Sequence, residues 1–315
     1  MSSKKNWTPV TYRTLPGEIA SLVSQLRDRC NAAGGLCLKI AVPALAPPER
    51  VAADAPGTFF VYGILVYIDD ALAGYCSLEG NRESVEICGM VAPEHRRQGI
   101  GAALLDGALA YCSSAGVQET LLICEEASSE GKAFAAAHAG TLQFSEHRME
   151  LRDFEAMERG LLREPQLSLR RAWPEESGML AQINAQVFGG EAELASMRAD
   201  IEQEFDSAAA RFYVGELGGV GPVSSLKLYL SAGQASVYAF GVLPSFRRQG
   251  LAWQTLALLV REMLAEGISH IGLEVETNNG PALALYQASG FVPMTTYGYY
   301  RLESRTNAGE ASTAG

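Results

Sequence analysis

Apolar and polar positions along the chain run through the same succession of short strand-like runs and longer amphipathic runs twice. In the first half Thr58–Tyr62 and Leu72–Leu78 read as strands, and in the second Arg211–Gly215 and Val223–Tyr229 do. Each pair is followed by a stretch with helical spacing, about 100–115 and about 250–266, closed by Gly116 or Gly267, which suit a left-handed helix end. Apolar strands at Glu119–Cys124 and Ile271–Glu276 come next, and a second helix and a last strand complete each half. Hairpins first and a strand-helix-strand crossover afterwards predict a mixed α/β class.

The repetition extends to residue identity. Residues 88–105, CGMVAPEHRRQGIGAALL, align with residues 239–256, AFGVLPSFRRQGLAWQTL, on Pro93 and Pro244, an offset of 151. A length of 315 residues accommodates two such domains. The expected division is 1–160 and 165–304, with a linker in the mixed-charge stretch 151–167, a boundary near 165 and a mobile tail at 305–315. Residues 30–57, rich in glycine and proline, read as a loop over the first domain on its substrate side.

The shared motif has a chemical meaning. Arg96-Arg97-Gln98-Gly99-Ile100-Gly101 and Arg247-Arg248-Gln249-Gly250-Leu251-Ala252 stand between a strand and a helix. There the first helical N–H groups lack partners, small residues admit an anion to the main chain, and the helix dipole and arginines favour negative charge. A pyrophosphate site, made twice, is the inference. At these residues the chain resembles the GNAT acetyltransferase superfamily, whose central motif is Arg/Gln-x-x-Gly-x-Gly/Ala after a Val-x-Pro strand end. The resemblance implies two tandem domains, each a mixed, mostly antiparallel twisted sheet flanked by helices. It also implies acetyl-CoA held by this turn, with the strand ends Met90, Val91 and Ala92, or Gly241, Val242 and Leu243, bonding its pantetheine and acetyl groups. The tandem layout is similar to that of mycothiol synthase-like bacterial acetyltransferases.

Asn279 to Phe291 resembles the family's second motif, Asn-x-x-Ala-x-x-Leu-Tyr-x-x-x-Gly-Phe. The resemblance implies that Asn279 contacts the cofactor and that Tyr286 is the general acid for the leaving thiolate, a role a phenol suits. The first half aligns there with Glu130 for the asparagine and Ala137 for the tyrosine, with His138 adjacent, so the first domain is expected to be degenerate and the second catalytic. For the general base, Glu274 and Glu276 share one face of a strand. Glu86 lies seven residues before Pro93, where many family members carry a catalytic glutamate, but its counterpart is Val237; Tyr238 is a further candidate. The run Thr295–Arg301 alternates polar and aromatic residues, which either line an acceptor pocket or pack on the neighbouring strand.

Composition narrows the partners. A net charge of -11 opposes binding to a nucleic-acid backbone and fits a small amine substrate. Six cysteines, all in the first half, show no C-x-x-C pair and no zinc-ligand spacing, and their apolar neighbours point to buried thiols in a reducing compartment, so no metal is expected. No secretory signal or apolar span is visible, and a cytoplasmic protein without membrane contact, a monomer or homodimer, is the expectation. N-acetylation of a small-molecule amine by acetyl-CoA is the leading reading. A non-enzymatic acyl-CoA sensor and a protein or peptide N-acetyltransferase are the alternatives.

Overall fold

A crossover between parallel strands buries the apolar stripe of its helix against the sheet, and this device builds both halves of the molecule. The computed structural model describes residues 8–12, 15–41, 60–161, 167–231 and 233–303. The chain forms two compact units, residues 1–145 with 297–315, and residues 146–296.

The first unit contains β1 (Val10–Tyr12), α1 (Gly17–Gly34), β2 (Phe60–Ile68), β3 (Ala71–Gly80), β4 (Ser84–Val91), α2 (Ile100–Ser114), β5 (Glu119–Glu125), α3 (Ser129–Ala137) and the start of β6 (Thr141–Leu151). The second contains the rest of β6, then α4 (Phe154–Glu158), β7 (Leu167–Arg171), α5 (Ser177–Phe188), α6 (Leu194–Phe205), β8 (Ala210–Leu217) and β9 (Gly221–Ser231). It continues through β10 (Gln234–Val242), α7 (Leu251–Ala265), β11 (His270–Glu276), α8 (Gly280–Ala288) and β12 (Phe291–Arg301), whose last residues return to the first unit.

Within the first unit the strands run in the order β1-β2-β3-β4-β5-β12, and within the second β6-β11-β10-β9-β8-β7. The pairs β4–β5 and β10–β11 are parallel, and the hairpin pairs are antiparallel. In the first unit α2 buries Ile100, Leu104, Leu105 and Ala108 on one sheet face, with Val85 and Ile87 of β4. On the other face α1 buries Val23, Leu26 and Cys30 against Leu65, Tyr75 and Met90. In the second unit α7 buries Leu256, Leu259, Val260 and Met263 over Val237, Leu273 and Val275. Leu180 of α5 and Ile201 of α6 cover Phe212 and Val214 on the opposite face. Each fully buried leucine contributes about 1.5–3 kcal/mol, so these stripes fix which sheet face each helix takes.

The last strand of each repeat completes the sheet of the other. Glu146–Glu150 of β6 pair antiparallel with Glu276–Gly272 of β11, and Tyr297–Arg301 of β12 pair with Glu125–Leu121 of β5. The division therefore falls inside β6 and β12 and not near 165. Residues 151–161, read from sequence as linker, are part of the second unit. Asp153 caps α4 by accepting from the Ala156 amide at 2.8 Å, and Met157 is wholly buried. The Trp253 indole donates to the Met157 carbonyl at 3.1 Å, and Arg261 pairs with Glu158. The mixed charge that suggested a linker is the outer face of this short helix.

Residues 30–34 are the last turn of α1, closed by Gly35 at φ 61, rather than the start of a loop. Residues 36–41 continue without regular structure. The remainder of the expected loop and the expected tail at 305–315 lie outside the described residues. Gly116 and Gly267, at φ 70 and 81, follow α2 and α7 as their sequences require. Among the described residues no helix is long and apolar enough to cross a membrane.

Gly290 closes α8 at φ 97, where a Cβ would overlap the Asp153 carbonyl oxygen, and its own carbonyl accepts the Arg152 and Asp153 amides at 3.0 and 3.1 Å. Gly290→Ala is expected to destabilise the second unit by about 2 kcal/mol or more. The reading is a lower urea midpoint followed by Trp253 fluorescence. Gly280→Ala, where a Cβ meets no atom within 4 Å, should leave that midpoint within error.

Candidate active site

Each pair of parallel strands separates after four paired residues. In the second unit β10 and β11 pair over Gln234–Val237 and His270–Leu273, then diverge while β10 runs on to Val242 and β11 to Glu276. In the first unit β4 and β5 pair over Ser84–Ile87 and Glu119–Leu122 before parting. Past the fork the two strands no longer bond to each other, so an extended ligand with amide groups can add to the ladder. In β10 the fork coincides with a bulge between Tyr238 and Gly241, marked by Ala239 at φ 45. No such shift interrupts the pairing of β4 with β3. Val187 of α5 packs on Gly241 where a Cβ would stand.

The predicted anion turn follows in both units. Pro93–His95 and Pro244–Phe246 each make one turn of 3-10 helix, and Arg96 and Arg247 are extended. Arg97 and Arg248 are left-handed at φ 61 and 64, as are Gly99 and Gly250 at φ 86 and 80. This alternation turns successive amides toward one point, a concavity suited to an anion. Gly99 and Gly250 stand at the N-caps of α2 and α7 and supply no side-chain acceptor, and a Cβ on either would project into open space. The geometry suits a diphosphate such as that of acetyl-CoA.

The arginines divide their work. Arg96 Nε donates to the Val91 carbonyl at 3.3 Å and Arg247 Nε to that of Val242 at 3.0 Å, so the first of each pair ties the turn to the strand end. Arg97 and Arg248 are exposed beside the concavity. Gln98 and Gln249 donate to the carbonyls of Glu94 and Ser245 and brace the turn. Ile100 and Leu251 anchor the helices in the cores, with Gly101 and Ala252 following them in the first turn. Met90 and Ala92 are buried beneath α1, and the amides of Ala92 and Leu243 bond to the Ala73 and Val223 carbonyls.

Tyr286 lies on α8, 8% exposed, in the cluster with Leu273 and Val275, with its ring edge-on to Phe291 at 5.8 Å. Burial pushes its phenol up to about 12, so the group stays protonated at neutral pH. Asn279 caps the same helix, its Oδ1 accepting from the Ala282 amide at 3.3 Å, which gives the motif asparagine a structural role. In the first unit the cap of α3 is Ser128, accepting from Gly131 at 3.0 Å. Ser128 and Asn279 share the repeat offset of 151, as do Ala139 and Gly290, both at positive φ. The counterpart of Asn279 is therefore Ser128 and not Glu130, and that of Tyr286 is the fully buried Ala135 and not Ala137. The sequence alignment slips by two because an alanine-rich helix offers no landmark. His138 ends α3 with Nδ1 2.9 Å from the Phe134 carbonyl and its ring against Phe134, tied to its own helix.

The candidate bases stand on the other sheet face. Leu273 and Val275 point toward α7 and α8, so Glu274 and Glu276 point away. Glu274 lies across from Arg148 of β6, which pairs with Glu150 at 3.0 Å; the exposed Glu276 lies across from Glu146. Arg148, Ser236, Tyr238, His270 and Glu274 line an open polar depression that reaches the fork. Lys227 sits 5.5 Å from the Tyr238 ring centre and pairs with Glu204 at 2.9 Å. The extra bulge residue also shifts the comparison of the repeats. Ile87 and Val237 are both the last paired residues of their strands, so Glu86 corresponds to Ser236 and not to Val237. Ser236 and Arg148 escaped the sequence reading: the bulge displaced one, and the other comes from the other half of the chain.

The aromatic run near the C-terminus divides between the units and packs. Tyr297 and Tyr299 are buried in the first unit, the former donating to the Cys37 carbonyl at 2.6 Å and the latter stacked on Phe144 at 4.4 Å. Five of the six cysteines are buried, as their neighbours suggested, but Cys37, flanked by Leu36 and Leu38, is only half-buried because it lies in the irregular stretch after α1.

Residues 37–140 and 171–291 match the model of the acetyltransferase (GNAT) family. The chain is 32% identical over 215 residues to the mycothiol acetyltransferase of Clavibacter michiganensis subsp. michiganensis, covering 64% of this chain and 67% of that protein. It is 28% identical over 300 residues to that of Beutenbergia cavernae, covering 90% and 95%. In fold it is similar to a tandem GNAT protein from the clavulanic acid biosynthesis pathway, with TM-score 0.69, 16% identity and coverage of 96% and 99%.

The Tyr286 phenol supplies a direct test of its surroundings. A difference absorbance titration of the native protein against Tyr286→Phe is expected to show no tyrosinate from this residue near the ordinary value of about 10, with ionisation only toward about 12. Because burial raises the folded-state value, its stabilising contribution is complete below about pH 10 and is lost as the pH rises toward about 12.

Proposed function

Since this chain belongs to the acetyltransferase (GNAT) family, we propose that it moves an acetyl group from acetyl-CoA to the amine of a small polar molecule, and that the second unit performs the transfer. The observation that carries this reading is the gathering in one unit of a bulged, forked strand pair, an anion-binding helix start and a buried protonated phenol. The first unit has the fork and the turn, but Ala135 where the second has Tyr286.

In this reading the amides around Gly250 hold the diphosphate, and the β10 strand end at Gly241–Leu243 binds the amide-bearing arm by main-chain hydrogen bonds. Acetyl-CoA supplies an activated thioester. The amine enters from the polar face lined by Ser236, Tyr238 and Glu274. Glu274 takes a proton from the incoming ammonium, directly or through water, and Tyr286 donates its proton to the departing sulfur. Burial keeps the Tyr286 phenol protonated, so its proton is in place beside the sulfur as negative charge develops there in the breaking C–S bond. For the acceptor we propose a molecule of the kind handled by the mycothiol acetyltransferases, whose likeness extends over most of the chain.

Tyr286→Phe is expected to lower turnover by about ten-fold or more while leaving acetyl-CoA affinity nearly unchanged, as for a group acting in the transition state. Steady-state thiol release together with calorimetric titration of acetyl-CoA measures both, and unchanged turnover would remove Tyr286 from the mechanism. Gly250→Glu fills the concavity with a carboxylate and strains a left-handed position. Loss of the second unit's acetyl-CoA binding and of turnover is expected; retained turnover would show that the turn is not the diphosphate site.

A further inference from the structure

The first unit holds an amine of its own at its fork. Glu86 points to the sheet face away from α2, because its neighbours Val85 and Ile87 pack with that helix. It sits one residue before the last paired position, Ile87. Its carboxylate is 3.3 Å from Lys39 Nζ, and the same ammonium donates to Tyr299 Oη at 2.7 Å. The main chain of Lys39 reaches the thiol of Cys88, the first residue of β4 beyond the fork. Two residues earlier the Cys37 amide donates to Glu125 on β5 at 2.6 Å, also beyond the fork. Residues 37–39 thus bridge the parted strands on the face from which an acceptor would enter, and they lay a primary amine on a carboxylate there.

The donor side of this unit retains its parts. The turn at Gly99 has the same backbone as that at Gly250, with the same open space above it. The phenol is replaced by Ala135, so in this unit the departing sulfur takes its proton from the attacking nitrogen.

From this arrangement we infer that Lys39 is an internal acyl acceptor: an acyl-CoA held at the Gly99 turn transfers its acyl group to the Lys39 side chain, once per chain. The Lys39 ammonium gives a proton to the Glu86 carboxylate, and its lone pair attacks the thioester carbonyl carbon. The N–C bond forms as the C–S bond breaks, the bonding pair leaves with sulfur, and the thiolate takes the second nitrogen proton to depart as free thiol. The proton on Glu86 passes to solvent. The product is a neutral amide, which ends the ion pair to Glu86.

The test uses the full chain with acetyl-CoA labelled in its acetyl group, followed by peptide mass mapping over time. Exposed Lys132 serves as the internal measure of uncatalysed acetylation. Lys39 is expected to label about ten-fold or more faster than Lys132, and Glu86→Gln to slow Lys39 by about ten-fold without altering Lys132. Gly99→Glu should reduce Lys39 to the Lys132 rate, whereas Gly250→Glu, which disables the second unit's donor turn, should leave it labelled. Equal labelling of the two lysines in the native protein, an unaltered Lys39 rate in Gly99→Glu, or loss of labelling in Gly250→Glu would each overturn the inference. Because the last two variants act on different units, the outcome is read separately from turnover on an external amine.

Discussion

The layout of each unit depends on two parallel strands that stop pairing after four residues. A main chain that leaves a ladder must find other hydrogen-bond partners or water, and the fork answers this by opening a slot whose walls carry amides and carbonyls. The crossover helix starts at the end of one wall, so its own unbonded N–H groups point to the same region. One topological event thus brings the open main-chain groups of a strand end and of a helix start together, before any side chain is considered.

The parts that follow from local chain geometry were legible in the sequence. Val-x-Pro, two arginines and a glycine before an amphipathic stretch specify the turn, and left-handed Gly99 and Gly250 stand where the motif needs them. What depends on pairing choices was not legible. The alternation in β6 is equally good for either sheet, and only the assembled core shows that Met149 and Leu151 belong with α7. The bulge in β10 hid the relation of Glu86 to Ser236, because inserting one residue reverses which face each side chain takes. In α3 the run of alanines concealed the register that Ser128 sets by capping the helix.

The comparison of the two units shows how far a repeat can diverge on an unchanged frame. Glu125 and Glu276 occupy the same strand position, yet one is buried and bonded to the Cys37 amide while the other is exposed. Ser128 and Asn279 perform the same capping with different side chains, at nearly equal worth for a helix start. Conserving the backbone while the pocket chemistry drifts is possible because the turn and the cap require only small or short polar residues. Side chains deeper in each unit vary independently of both, as Ala135 and Tyr286 do at equivalent positions.

The exchange of the last strands bears on how the polypeptide is made. Residues 1–145 emerge from a ribosome first, but the sheet they form has β5 as an unsatisfied edge until Tyr297–Arg301 arrive. An exposed edge strand invites mispairing with other nascent chains. The sheet of the N-terminal half therefore lacks one strand until nearly the whole chain has been made, whereas residues 146–296 have all their strands beforehand. A gene cut between the repeats yields two fragments that each carry a strand belonging to the other.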